Sequence, residues 1–201
     1  MDTRAVLLHA LDDLLEHRHP GEVSLREVAR HAGVSHGLPG YYFQDRRGLL
    51  TAYAAEGYRL MGEMQRADLG KVADQPAHVR MAELGVSYVN FSVQYSRRFS
   101  VMFQSHEVNL ENKDYKENAD RAFGALQEIV APFFAGLPDG EKRAVQVMFG
   151  AWSIAHGAAM LMQGPRLNRY MPPEIIPELC RNMFYTYATT NLPPEENTGA
   201  D

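Results

Sequence analysis

The sequence predicts an all-α fold: an N-terminal three-helix unit built on a helix-turn-helix, then a larger helical domain, about nine helices in all. Three observations carry this. Apolar residues recur three and four apart in almost every segment, the spacing of one helix face. No alternating β pattern, internal repeat or low-complexity tract interrupts them. Between the segments stand turn and cap signals such as His17-Arg18-His19-Pro20-Gly21 and Leu137-Pro138-Asp139-Gly140. The 201 residues are 45% hydrophobic and 22% charged, ordinary for a globular chain with a real core.

Residues 3–18 predict a first helix with Val6, Leu7, Ala10, Leu11, Leu14 and Leu15 on one face. Glu16-His17-Arg18-His19 contains half of a di-iron carboxylate motif, but a second copy and two further glutamates are missing, so neither a metal nor another cofactor is expected. Ser24 and Glu27 then form a capping box for a second helix, whose inner face is Leu25, Val28 and Ala29. Gly33 ends it, Val34 plugs the turn, and Ser35 is expected to cap a third helix in which Pro39 costs one backbone bond. In a helix-turn-helix this third helix lies in the major groove of DNA. Ser35, His36, Gly37, Tyr41 and Tyr42 supply its polar, stacking and close-approach groups, while Ser24, Arg26 and Arg46 are placed for phosphate. Net charge is −5, and residues 1–50 hold six arginines against seven acids, so affinity must come from a local patch. Residues 24–47 provide one, with four arginines against two acids.

A fourth helix runs from Arg46 to about residue 66, capped by Asp45, with Gly57 and Gly62 inside it. After a loop over 69–76, a fifth runs to about Tyr95, its face mixing Tyr88, Ser92 and Tyr95 with apolar residues. Ser96 is expected to cap a short sixth helix that turns Phe99, Met102, Phe103 and His106 inward. A polar loop over 109–118 precedes a seventh, which carries Phe123 and reaches Phe134. Asp139 is expected to cap an eighth, apolar on two sides, and a ninth spans about 174–192. Tyr88, Ser92, Tyr95, Phe99, Met102, Phe103, His106, Phe123, Trp152 and His156 are expected to surround one cavity for a small apolar or aromatic effector. In this scheme the effector shifts the sixth helix, which displaces the fourth. Ala151, Ala158, Leu161, Ile176, Leu179, Met183 and Tyr187 are too much apolar surface for a monomer to leave wet, and predict a homodimer through a four-helix bundle.

The run Val28-Ala29-Arg30-His31-Ala32-Gly33-Val34-Ser35-His36-Gly37, followed by Pro39, Tyr41, Phe43, Asp45, Arg46 and Gly48-Leu49-Leu50, resembles the signature of the TetR family of bacterial repressors. The resemblance covers the first quarter of the chain. At the position of Gly40 the family usually carries an aromatic residue that touches phosphate, a contact Tyr41 or Tyr42 would have to replace. Ala151-Trp152-Ser153-Ile154-Ala155-His156-Gly157 resembles the Trp-His-Gly helix of one subclass of TetR C-terminal domains. That resemblance implies a ligand-sensing domain and a dimer built from the last two helices. The division expected is residues 1–48 for DNA, 49–192 for ligand and dimer, and 193–201 as a disordered polar tail.

Together these readings predict a ligand-responsive homodimeric repressor that binds a palindromic operator in double-stranded DNA. The alternative is a helical small-molecule-binding protein that does not touch DNA. An enzyme is not expected: Gly33-Val34-Ser35-His36-Gly37 fits Gly-x-Ser-x-Gly, but a nucleophile elbow needs a strand before the serine. The single Cys180 suits a reducing cytoplasm and reads as a small core residue. No signal-peptide pattern and no run of eighteen apolar residues is present, so a cytoplasmic protein with no membrane partner is expected.

Overall fold

The computed structural model describes residues 2–163, 167 and 170–194, and its described regular elements are helical. They are α1 (Thr3–Leu14), α2 (Leu25–His31), α3 (Leu38–Phe43), α4 (Arg46–Gly70), α5 (Ala77–Gln94), α6 (Ser96–Gln104), α7 (Lys113–Val130), α8 (Gly140–Met162) and α9 (Ile176–Asn191). Short 3-10 turns cover Pro20–Glu22, Ala131–Phe134 and Pro173–Ile175. Residues 195–201, most of the expected polar tail, lie outside the described residues. The chain packs as two compact units, residues 1–60 with 95–121 and residues 61–94 with 122–201. This contact division differs from the one expected at residue 48, which followed role rather than packing.

In the first unit, Leu7 and Leu11 of α1, Val28 and Ala29 of α2 and Leu49 and Leu50 of α4 are fully buried. The apolar periodicity of three segments thus closes one core. The Tyr53 hydroxyl donates to Asp12 Oδ1, and Arg97 donates to Asp12 Oδ2 at 3.1 Å. The Arg98 guanidinium lies 4.2 Å from the Tyr53 ring centroid, so α1, α4 and α6 meet at one polar node. Burial and the Asp12 carboxylate together push the Tyr53 phenol far above its ordinary range. At Gly57 a Cβ would stand 2.4 Å from Met102 Sδ, which is how α6 comes so close to α4.

In the second unit, α5 packs along α9 and α8. Met81 and Leu84 of α5, Ile129 and Val130 of α7, Ala144 and Val147 of α8 and Ala188 of α9 share one core. Ile176, Cys180, Phe184 and Ala188 recur every four residues on α9 and are all buried, so the thiol is a core group, pushed up by burial. A Cβ on Gly85 would lie 2.7 Å from the Phe184 ring, and one on Gly150 would lie 2.1 Å from the Tyr187 hydroxyl. Two aromatic rings of α9 therefore depend on bare backbone opposite them.

Several expected boundaries are corrected. The first helix stops at Leu14, and its N-cap is Asp2, whose side chain accepts from the Arg4 amide. Ser35 is not a cap: α3 starts three residues later behind Gly37, because Pro39 takes the first turn, where no backbone bond is lost. Ser96 gives way to Tyr95 before α6, and Asp139, at φ 54°, makes no side-chain cap for α8. The fourth helix runs on to Gly70, and α7 begins at Lys113, inside the expected polar loop. There the Asn112 side chain accepts from the Tyr115 amide at 3.1 Å, an Asx-type cap within what read as loop.

Candidate nucleic-acid interface and cavity

The α2–turn–α3 segment forms as its residues dictate. The Ser24 hydroxyl accepts from the Glu27 amide at 3.3 Å and the Glu27 carboxylate accepts from the Ser24 amide at 3.0 Å, completing the capping box. The Arg18 guanidinium and both Ser24 groups hold the Glu27 carboxyl down to about 2 from 4.5. Gly33 adopts φ 67°, the left-handed turn that ends α2, and the Val34 amide closes back on the Ala29 carbonyl at 3.0 Å. The turn after α3 is also left-handed, at Gln44 with φ 67°, a position the sequence did not flag. Asp45 Oδ1 accepts from the Gly48 amide at 2.7 Å and caps α4 as expected. Gly48 is required there, since a Cβ would lie 1.9 Å from the Phe43 carbonyl oxygen.

His36 and Gly37 are exposed in the turn, and Tyr41 is 81% and Tyr42 39% exposed, their rings edge-to-face at 5.3 Å. Ser24 and Ser35 are exposed as well, the Ser24 hydroxyl being engaged in the capping box. Arg26 is exposed, and so are Arg30 and Arg47; among the described residues none of the three guanidiniums has a carboxylate partner. Arg46 differs. Its guanidinium meets Glu107 at 2.6 Å and donates to the Gly21 carbonyl at 2.7 Å. It braces the loop after α6 and the turn before α2, so its charge is already compensated. Arg47, one residue on, presents the uncompensated charge, and only the difference between a capped turn's first and second arginine could have told them apart.

The second unit holds a cavity of about 50 Å³, lined on α5 by Tyr88, on α7 by Phe123 and on α8 by Trp152, with Met61 and Gln65 from α4. Trp152 Nε1 donates to the Tyr88 hydroxyl at 3.4 Å, and that hydroxyl lies 2.9 Å from His156 Nδ1. Phe123 packs edge-on to Trp152 at 5.2 Å between centroids. Burial pushes the Tyr88 phenol up and the His156 imidazole down, and the two groups share one hydrogen bond between the hydroxyl and Nδ1. No lining residue is charged.

This is narrower than the cavity expected. Phe99, Met102 and Phe103 belong to the first unit, where Phe99 and Met102 are buried and Phe103 packs on Tyr58 at 5.8 Å; none lines the cavity. His106 is exposed and Tyr95 half-buried, also outside the lining. Ser92 is buried, but its hydroxyl bonds its own helix at the Val89 carbonyl, 2.7 Å away. Periodicity gave α6 an inward face without saying toward which core. Sequence reasoning missed Gln65 and Met61, because polar and apolar residues that share the last turns of α4 read there as helix surface.

Three of the seven residues expected at a dimer face point inward. Ile176 is 5% exposed, while Ala151 and Tyr187 line the cavity, Tyr187 donating to the Val147 carbonyl at 3.0 Å. Leu161, Leu179 and Met183 remain exposed, with Ala158 half-buried; Val145 and Phe149 of α8 join them, Phe149 at 64%. By length and composition α8 is apolar enough to cross a bilayer, which is also the composition of a helix packed on several sides.

Comparison with known proteins matches residues 81–184 to the family described as "Tetracyclin repressor-like, C-terminal domain". The HTH-type transcriptional regulator BetI of Pseudomonas aeruginosa is 43% identical over 49 residues. That match covers 24% of this chain and 25% of BetI, so the chain spans a quarter of the curated relatives it matches. A Rhodococcus sp. RHA1 protein of unknown function superposes with TM-score 0.78 at 25% identity, covering 96% of this chain and 97% of that one. NalD, the secondary repressor of the MexAB-OprM multidrug efflux pump in Pseudomonas aeruginosa, shares the fold at TM-score 0.59 and 16% identity, over 96% of both chains.

Proposed function

Because the chain belongs to the tetracyclin repressor-like (TetR) family of transcriptional regulators, we propose that it is a cytoplasmic, ligand-responsive repressor that binds a palindromic operator as a homodimer. The observation that carries the DNA-binding half is Tyr41. An aromatic ring 81% exposed on a six-residue helix, its edge-to-face partner Tyr42 itself exposed, has no core to pack against, and it stands with Tyr42 and His36 where a recognition helix meets base edges. Arg26, Arg30 and Arg47 supply phosphate contacts, which fix register and carry most of the salt dependence. Arg46 holds the turn rather than the DNA. Val145, Phe149 and Leu161 of α8 with Leu179 and Met183 of α9 form the dimer face, and their two-fold axis gives the operator its symmetry. The cavity around Tyr88, Phe123 and Trp152 takes the effector, whose binding disfavours the DNA-bound state; DNA must then weaken effector binding by the same factor.

Selection from random duplexes tests this directly. The full chain should enrich a palindrome with half-sites spaced by whole helical turns, and Tyr42→Ala should lose discrimination among sequences. Failure to retard any duplex, with the protein folded and dimeric, would leave a small-molecule-binding protein without DNA activity.

A further inference from the structure

We propose that Gln65 is the polar anchor of the effector cavity, and that the effector is a compact, neutral, largely apolar molecule presenting one hydrogen-bond donor to Gln65 Oε1. A phenolic or alcoholic hydroxyl or an amide N–H fits this description. The inference rests on reading the cavity as the effector site.

Gln65 is 4% exposed, and its Oε1 is buried with no hydrogen-bond partner among the described residues. Buried polar atoms are almost always satisfied, and the exceptions mark strain, catalysis or a missing partner. The other polar groups of the lining are already engaged. Trp152 Nε1 donates to Tyr88, the Tyr88 hydroxyl shares a hydrogen bond with His156 Nδ1, and the Tyr187 hydroxyl donates to the Val147 carbonyl. What the cavity still offers is an acceptor. A carboxylate entering it would find no cation to compensate its charge, and an ammonium would find no carboxylate. The remaining lining is aliphatic and aromatic, which sets the rest of the molecule.

Size points the same way. At about 50 Å³ the cavity is smaller than the ~150 Å³ apolar cavity that admits benzene in an engineered protein, so a ligand must open it. Met61 and Met81, unbranched and readily repacked, are the walls that can yield. Met61 and Gln65 both sit on α4, so an occupant bonded to Gln65 acts on that helix directly.

The only tryptophan of the chain, Trp152, lines the cavity and reports occupancy by its emission. Phenol, toluene, anisole and benzoate are titrated into the full-length parent, Gln65→Met and Gln65→Leu, each checked for fold by circular dichroism. In the parent, phenol and toluene should give saturable shifts and benzoate none. Either substitution should lower the ratio of phenol to toluene affinity by about tenfold, the worth of one neutral hydrogen bond, while toluene binds within about twofold of the parent. A ratio that stays unchanged, a parent that prefers the donorless anisole to phenol, or a saturable benzoate shift would overturn the anchor while leaving the cavity as the binding site. If no probe moves Trp152 emission, the cavity reading falls, and the anchor with it.

Discussion

Gly48→Ala tests whether the capped turn between α3 and α4 is as tight as its geometry says. The added Cβ would stand 1.9 Å from the Phe43 carbonyl oxygen and 3.0 Å from its carbon. A carbon–oxygen contact needs about 3.3 Å, so backbone must move by more than about 1 Å. Overpacking costs roughly 1–3 kcal/mol, and the upper end applies because the obstacle is backbone rather than a side-chain tip. Alanine returns about 1 kcal/mol of helix propensity, leaving a net loss of about 2 kcal/mol. For a chain of this length that lowers the melting temperature by about 4–8 °C. Gly40→Ala is the matched control, lying inside α3 with nothing within 4 Å of its Cβ. It should gain up to about 1 kcal/mol and raise the melt by about 2–4 °C. Thermal denaturation followed at 222 nm gives both numbers. DNA affinity should fall in Gly48→Ala, because the carbonyl displaced belongs to α3. Melts for the two variants within ~1 °C of each other would refute the steric argument.

Three further outcomes are expected. Arg47→Ala should flatten the dependence of log affinity on log salt by about 0.9, whereas Arg46→Ala should leave that slope unchanged and lower the melting temperature by releasing Glu107 and Gly21; binding isotherms over a salt series separate them. The Glu27 carboxyl is held below its ordinary value, so its contribution to stability is full above pH 4.5 and is lost as pH falls through about 2. Melting temperature against pH should drop across that window, and Glu27→Gln should remove this part of the drop while starting lower. Phe149→Asp, a charge on a side chain 64% exposed, should yield folded monomers with weakened operator binding, read by sedimentation; a dimer of parental strength would move the interface away from α8.

Much of the fold was legible because its elements are announced locally. The Ser24–Glu27 box, the Gly33 turn and the Asp45 cap each satisfy backbone groups within a few residues, so sequence spacing decides them. The starts of α3 and α7 were misread for a related reason. Pro39 fixes the start of α3 although Ser35 stood nearby as the better-known cap residue, and Asn112 caps α7 from within a polar run that read as loop. The candidate cavity was half legible. Tyr88, Phe123 and Trp152 lie on apolar faces and do converge, but Phe99 and Met102 have the same pattern and serve a different core. Periodicity reports that a face is inward and carries no address. Gln65 was invisible for the opposite reason, since a glutamine on a long helix reads as solvent-facing until a neighbour covers it.

The first unit is discontinuous, and that governs how it can be made. Its two stretches are stitched by Asp12 to Arg97, Thr51 to Asn109, Arg46 to Glu107 and Tyr58 to Tyr115. On the ribosome residues 1–60 emerge first, and at about 5–20 residues per second the second stretch follows seconds later. Until then Gly57 faces no Met102, and Asp12 has Tyr53 but neither arginine. Helices α2 and α3, proposed to contact DNA, therefore reach their final stability only after a later, non-local segment docks, and the loop closed in between adds its entropy to the folding barrier. Nascent chains that have exposed only residues before 95 should be cut by protease within residues 1–60, whereas chains that have exposed residue 121 should resist cutting at those sites.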